Sequence, residues 1–227
     1  MSPFSFSIFM MIKRAFITLS LLLTLAGCGS MEREPTLEAS GYIADAGVVR
    51  LWSKVDGEGI PMRLLSVYTP FSGETVATHY EFIDGKLGLV KREVQNDALL
   101  PRTELRLDTK GNPSFMQRRL ADRNESLSDD DILSIKYEAQ QFLETSRSLS
   151  AGRVKLYQGY INNGRIVSCE GDVENPRFLP SQRQWLDKRI HNGGFISLAW
   201  LSSFQGVQLL LVANENFCQW EPRLENF

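Results

Sequence analysis

The spacing of hydrophobic residues changes several times along the chain. Residues 15–26 are mostly apolar, and from Gly41 to about Ala121 apolar and polar positions alternate. After Ser128 the apolar residues recur every three to four positions, and beyond Gly152 the alternation returns. Because a period of two is typical of strands and a period near 3.6 of helices, this order predicts strands, one helix and further strands.

The first alternating region predicts an antiparallel meander of about six strands. Asp84-Gly85 separates two β-rich runs, as does the stretch DTKGN at 108–112, and short Gly-containing connections of this kind are typical of hairpins. Leu105 and Leu107 alternate with charged residues. One face of that strand is therefore expected to be solvated.

The helical spacing predicts one long helix at about 129–149. Ser128 can cap its first amides, and the three aspartates that follow favour the positive end of the helix dipole. Gly152 is the expected end. The apolar stripe consists of Ile132, Ile135, Ala139, Phe142, Leu143 and Leu149.

The C-terminal region predicts two hairpins, with turns at Asn163-Gly164 and near Gln205-Gly206. Residues 207–213 are apolar at nearly every position, which favours a central strand buried on both faces. Residues 175–194 indicate no element. The fold class is therefore α+β and mainly antiparallel β over 41–227, and the helix leaves open a division into two sub-domains, 41–127 and 150–227.

The N-terminal apolar run has the features of an export signal. Lys13 and Arg14 precede it, and it is too short to span a bilayer, which needs ~20 apolar residues. It ends in Leu25-Ala26-Gly27-Cys28, which resembles the lipobox of bacterial lipoproteins. The resemblance implies removal of residues 1–27, a diacylglyceryl group on the Cys28 thiol and an acyl chain, such as palmitate, on its amine. The alternatives are an ordinary signal with a chance cysteine, or a short membrane anchor.

Three further expectations follow from this region. Ten residues precede the charged segment, so translation is expected to start at Met10 or Met11. Gly29 replaces the aspartate that retains lipoproteins in the inner membrane, so the resemblance implies the periplasmic side of the outer membrane. The polar residues 28–40 are expected to be a flexible tether, and the acyl chains make the membrane one partner.

The charge and cysteine content limit the class of binding partner and the cellular compartment of the protein. Lys and Arg number 25 against 27 Asp and Glu, and no basic run exceeds two residues, which argues against nucleic acid. The chain has three cysteines. With Cys28 acylated, Cys169 and Cys218 remain, and the oxidising periplasm predicts a disulfide between them. The alternative is two separate buried thiols.

Motifs for catalysis or for metal and cofactor binding are absent from the sequence. Its two histidines, His79 and His191, lack further ligands at zinc-site spacing, and there is no nucleophile elbow or phosphate-binding loop. We therefore expect no metal, cofactor or catalytic residue to be assignable. Among the four tryptophans, Trp52 and Trp220 lie near likely strand or chain ends, and they are candidates for a binding surface.

Several stretches together resemble an uncharacterised family of enterobacterial and vibrio-type envelope lipoproteins, the YjaH-like proteins. The resemblance is carried by SGYIADAGVVRLW at 40–52, SFMQR at 114–118, CEG at 169–171 and the C-terminal AWL, QLLLVAN and WEP segments. The family is a domain of unknown function. It implies lipoprotein character and a related fold, and it provides no catalytic residues.

These patterns favour a non-enzymatic, periplasm-facing binding or structural module on the outer membrane. Its partner would be an envelope protein, peptidoglycan or lipid. The alternative is an envelope hydrolase whose acid–base pair is formed only in space. A cleft that gathers at least two of His79, Asp84, Glu93 and Asp172 would favour that enzyme.

Overall fold

The structure is a computed structural model that describes residues 33–94 and 102–227. Residues Glu34–Phe227 form one compact unit. Its first half contains strands β1 Thr36–Ala44, β2 Gly47–Val55, β3 Pro61–Pro70, β4 Val76–Ile83, β5 Lys86–Val94, β6 Arg102–Leu107, β7 Pro113–Arg119 and β8 Asn124–Glu125. The second half contains helix α1 Asp129–Ala151, strands β9 Lys155–Asn162, β10 Arg165–Ser168 and β11 Val173–Glu174, helix α2 Pro180–His191, strands β12 Ser197–Ser203 and β13 Gly206–Ala213, and a 3₁₀ helix Phe217–Trp220.

Strands β1 to β8 form the predicted antiparallel meander, in chain order. It has eight strands rather than about six. Five of them, β1 to β5, lie before residue 95, and the two-residue strand β8 follows β7. The β4–β5 turn is at Asp84-Gly85, as predicted. Both residues have positive φ, 50° and 72°, which suits the two-residue turn and explains the glycine.

Helix α1 confirms the predicted helix and extends it by two residues to Ala151. The Ser128 hydroxyl accepts a hydrogen bond from the Asp131 amide at 3.1 Å, while an Asp131 carboxylate oxygen accepts one from the Ser128 amide. Ile132, Ile135, Ala139 and Leu143 of the predicted stripe are buried. Phe142 and Leu149 are only half-buried.

The second sheet has five strands in the order β11-β10-β9-β12-β13. Both predicted turns, at Asn163-Gly164 and before Gly206, join neighbouring strands of this sheet. The prediction that residues 207–213 form a central strand is wrong, because β13 is at the edge and most of its side chains are only half-buried. An apolar run reports an apolar environment, but it does not specify which strands lie on either side.

Residues 175–194, for which the sequence indicates no element, contain α2. Pro180 occupies its first turn, where a missing amide costs nothing. Leu186, which is 1% exposed, packs against the second sheet together with Ile190, one helical turn further on.

The elements stack in four layers: α1, the meander, the second sheet and α2. Helix α1 packs on one face of the meander through Ile132, Ile135 and Ala139. The other meander face meets the second sheet, and α2 covers the outer face of that sheet. The core between the sheets takes side chains from both halves of the chain: Val48, Trp52, Leu65, Val67, Ala77, Leu156, Ala199, Leu201, Leu210, Phe217 and Phe227. The segments on either side of α1 therefore share one core.

Candidate docking groove

A groove runs along β13 beside α2 and has a volume of about 330 Å³. One wall is made by Ser181, Gln182 and Trp185 of α2, and the other by residues 209–212 of β13. Four consecutive strand residues line it, although alternate side chains of a strand point to opposite faces. The groove therefore follows the edge of the sheet and not only one face. We call these seven residues the β13 groove.

The outer edge of β13 is open among the described residues. In the strand order β13 has β12 on one side and nothing on the other, so a row of backbone amides and carbonyls lacks a strand partner. Proteins commonly protect such edges with charges, prolines or short strands. The eight residues of β13 contain no charged residue and no proline, and Gln208 is their only polar side chain.

The remaining sheet edges in the described part of the chain are better protected. Strands β8 and β11 are two residues long. Strand β1 is nine residues long, but it carries the exposed charged residue Glu38, and charges of this kind discourage edge pairing. A long, apolar and open edge is thus specific to β13 among these four.

Trp185 gives the β13 groove an exposed aromatic wall. It is 47% exposed, and the Arg189 guanidinium lies 6.0 Å from its ring centroid, on the same helix. Arg189 also donates a 2.7 Å hydrogen bond to Asn214, just beyond β13. Asn214 donates in turn to the Phe195 carbonyl at 3.1 Å. These contacts fix α2 against the end of β13, so the groove is formed without a ligand.

A second polar feature lies between the sheets, around Arg50. Its guanidinium is fully buried and donates to the side-chain amide oxygen of Gln158 at 2.6 Å and to the Thr69 hydroxyl at 3.1 Å. It also lies 4.5 Å from the Phe217 ring centroid. Burial lowers the pKa of Arg50 to about 10, and the nearby carboxylates of Glu215 and Glu221 oppose that effect. Arg50 therefore remains a cation at neutral pH and is held by neutral acceptors.

Gln158 extends this cluster toward the disulfide. Its side-chain amide nitrogen donates to Glu221 at 2.8 Å. Burial raises the pKa of Glu221, and the negative charge of Glu170 raises it further, while the hydrogen bond from Gln158 opposes the shift. The predicted disulfide is present between Cys169 and Cys218, whose Cα atoms are 5.2 Å apart. It lines a surface cavity with Glu170, Glu221 and Glu225.

The structure corrects the tryptophan predictions. Trp52 is 2% exposed and packs between the sheets, so it is not a binding surface. Trp52 lies inside β2, which continues to Val55, and the second sheet covers it. Trp220 is half-buried, packs against the same core, and has a buried indole nitrogen without a hydrogen-bond partner. The exposed groove residue Trp185 was missed because it lies in the stretch without a predicted element, although Pro180 and the Leu186/Ile190 spacing were signals of a helix.

None of the cavities described above is lined by the residues named for a hydrolase, which are His79, Asp84, Glu93 and Asp172. His79 lies on β4, and burial lowers its pKa, while Glu93 on the neighbouring strand opposes the shift. Asp84 is in the exposed β4–β5 turn, and Asp172 lies at the other end of the chain, before β11. The His191 ring contacts the Asp187 carbonyl one turn earlier in α2. Within 33–94 and 102–227 no group of three or more His, Cys, Asp or Glu side chains could hold a metal.

The predicted lipidation residue Cys28 and the proposed starts Met10 and Met11 lie outside the described residues. They therefore stay predictions, as does the boundary of the signal at residue 27. Within the described ranges, no helix has the length and apolar content needed to cross a bilayer.

The fold and groove define an α+β domain with an open apolar strand edge and no recognisable catalytic centre among the described residues. The chain belongs to the family described as "Protein of unknown function (DUF1481)", whose profile matches residues 39–223. It is similar to "Uncharacterized protein YjaH" of Escherichia coli (strain K12), with 33% identity over 218 residues that cover 94% of this chain and 93% of that protein. No solved structure matches the chain.

Proposed function

We propose that this protein is an outer-membrane lipoprotein whose globular region binds an extended apolar segment of another envelope protein along β13. The segment would add a strand to the second sheet, with main-chain hydrogen bonds providing affinity and the groove residues providing selectivity. The observation that carries the proposal is the open edge of β13 beside the half-exposed ring of Trp185.

Two properties of the groove support strand addition. The side chains at 209–212 are apolar, and one wall of the groove is a helix that closes one side of the incoming strand. Aromatic anchors such as Trp185 are enriched in binding sites because a large rigid ring buries much area at low entropic cost. The edge also lacks the charges that would repel a partner strand.

The lipobox-like sequence supports the location. Leu25-Ala26-Gly27-Cys28 follows a basic, apolar signal-like stretch. Thr36, the start of β1, is eight positions after Cys28, and this stretch spans at most about 28 Å when extended. A lipid anchor on Cys28 would thus keep the binding domain close to the membrane.

Photo-crosslinking in cells tests the binding site. A photoreactive amino acid at the exposed position Gln208 should capture a specific envelope protein, and Trp185→Ala should abolish that capture. Tyr137→Ala is the matched control, because Tyr137 is 66% exposed on α1, away from the groove. Equal capture in the Trp185→Ala and Tyr137→Ala variants would contradict the proposed site.

The anchor is tested separately by Cys28→Ser. This change removes the thiol that accepts diacylglycerol, so we expect an unprocessed precursor, no incorporation of labelled palmitate and no recovery with the outer membrane. Gly29→Ala is the control and should be labelled normally. Normal labelling of Cys28→Ser would exclude the lipoprotein proposal.

A further inference from the structure

The end of the meander at which the chain enters carries several exposed apolar side chains. Thr36 of β1 pairs with Val55 of β2, and Val55 pairs with Pro61 of β3. The β2–β3 turn is therefore beside the point where the polypeptide enters the fold. Ile83 at the end of β4 pairs with Lys86, which places the β4–β5 turn at this end as well.

The exposed apolar residues of this end belong to neighbouring turns. Ile60 is 39% exposed, Met62 38% and Ile83 66%. The Ile60 side chain lies against the turn at Gly85, where a Cβ atom would be 3.4 Å from it. The exposed apolar side chains of the β2–β3 and β4–β5 turns are thus neighbours, and the charged residues Glu58, Asp84 and Lys86 lie beside them.

The second sheet adds Phe204 to the same end. Residues 37–39 of β1 line a groove together with residues 155–157 at the start of β9. Lys155 pairs with Ser202 of β12, and Phe204 follows in the β12–β13 turn. Phe204 is 83% exposed, more than any other large apolar side chain in the described part of the chain. We call Ile60, Met62, Ile83 and Phe204 the entry-end cluster.

The short connection between Cys28 and β1 limits the distance between this cluster and the membrane. Eight residues in a flexible chain have an average reach of about 16 Å, and even fully extended they reach about 28 Å. Strands lie ~4.8 Å apart, so the distance across the sheet from β1 to the β4–β5 turn is of the same order. An acyl anchor at Cys28 therefore brings the entry end, and not the opposite end, within reach of the lipid surface.

We infer that the entry-end cluster rests on the lipid leaflet that holds the acyl chains of Cys28, with its side chains in the headgroup region. The inference rests on the lipid anchor proposed above. Apolar side chains inserted at the boundary of headgroups and acyl chains add to the binding provided by lipid chains. Strand β13 begins at Gly206, beside the entry-end cluster, and runs away from that end of the molecule. The β13 groove would therefore face the periplasm, away from the membrane surface.

Site-directed spin labels test this orientation in the full lipidated chain. Ile83→Cys and Phe204→Cys place labels in the cluster. Phe71→Cys is the matched control, because Phe71 is 67% exposed and its amide donates to the Ala46 carbonyl at the opposite end of the meander. The protein is reconstituted in vesicles of phosphatidylethanolamine and phosphatidylglycerol. Collision rates are measured with oxygen, which concentrates in lipid, and with a water-soluble nickel complex.

The ratio of oxygen to nickel accessibility should be severalfold higher at positions 83 and 204 than at position 71. Flotation of the vesicles reports the anchor independently. Flotation with equal ratios at all three positions would overturn the orientation and leave the anchor intact. Loss of flotation would overturn the anchor and this inference together.

Discussion

A single buried cation lies where the two sheets meet. Arg50 comes from the second strand of the chain, and its acceptor Gln158 is 108 positions later. A charge removed from water is strongly destabilising unless it is hydrogen-bonded, so each acceptor around Arg50 offsets part of that cost. The cluster therefore favours one arrangement of the sheets, in which Gln158 lies opposite Arg50.

Gln158→Leu should lower the free energy of unfolding by about 2–3 kcal/mol, because the buried guanidinium loses an acceptor. The double variant Arg50→Met/Gln158→Leu should recover part of this loss, since it removes the unpaired cation, whereas Glu221 lacks the Gln158 amide donor in both variants. Denaturant titration of both variants measures the difference. A double variant less stable than Gln158→Leu would show that the cation itself contributes net stability.

The elements of this fold differ in how far local sequence determines them. Asp84-Gly85 and the start of α1 are local features, because turn geometry and capping depend on residues within four positions of each other. The place of β13 depends on the pairing of β12 with β9, about 40 residues apart along the chain. The sequence could therefore predict α1 and most turns, whereas it could not predict the open edge or the groove that depends on it.

The start of α1 should be sensitive to acid. Hydrogen bonds from Arg118 and Ser128 lower the pKa of Asp131 to about 2. Because this folded-state pKa is below the ordinary value of about 4, the contribution of Asp131 is complete above that value and is lost as the pH falls toward 2. The difference in thermal midpoint between the wild type and Asp131→Asn should be largest near neutral pH and shrink toward pH 2. A constant difference over that range would contradict the ion pair.

The packing of α1 on the meander can be measured at Phe142. Its ring is half-buried and meets Tyr80 edge-on, with centroids 6.3 Å apart. Phe142→Ala should cost about 2 kcal/mol, less than the ~3–5 kcal/mol of a fully buried phenylalanine. Tyr137→Ala, which changes an exposed ring on the same helix, should stay within about 0.5 kcal/mol of the wild type. Equal effects would mean that the Phe142 ring does not stabilise the contact.

At the scale of the whole molecule, the disulfide joins the segment after β10 to the 3₁₀ helix that packs on the core between the sheets. Its cysteines are 49 positions apart. Closing a loop of that length in the unfolded chain is worth roughly 4 kcal/mol in the chain-entropy model. Phe217, next to Cys218, is fully buried against Arg50. The bridge therefore supports the layer arrangement and not only the C-terminal segment.

Replacing both cysteines, as Cys169→Ser/Cys218→Ser, should lower the free energy of unfolding by about 4 kcal/mol. The measurement is denaturant unfolding with and without reductant. Reductant should bring the wild type to the stability of the double variant and leave that variant unchanged. A wild type insensitive to strong reductant throughout unfolding would contradict a stabilising role for the bridge.

The chain order of the meander has a consequence for how an exported chain folds as it emerges into the periplasm, N-terminus first. Each strand from β2 to β8 pairs with the one before it, so this sheet can grow as residues emerge. In the second sheet the β9–β10 and β10–β11 pairs can form in the same way, but the β9–β12 pair must wait until β12 has emerged. Until the second sheet is complete, Arg50 faces solvent and Cys169 lacks Cys218. We expect a chain truncated after α1 to protect the amides of the meander from hydrogen exchange, while the face that bears Arg50 stays open.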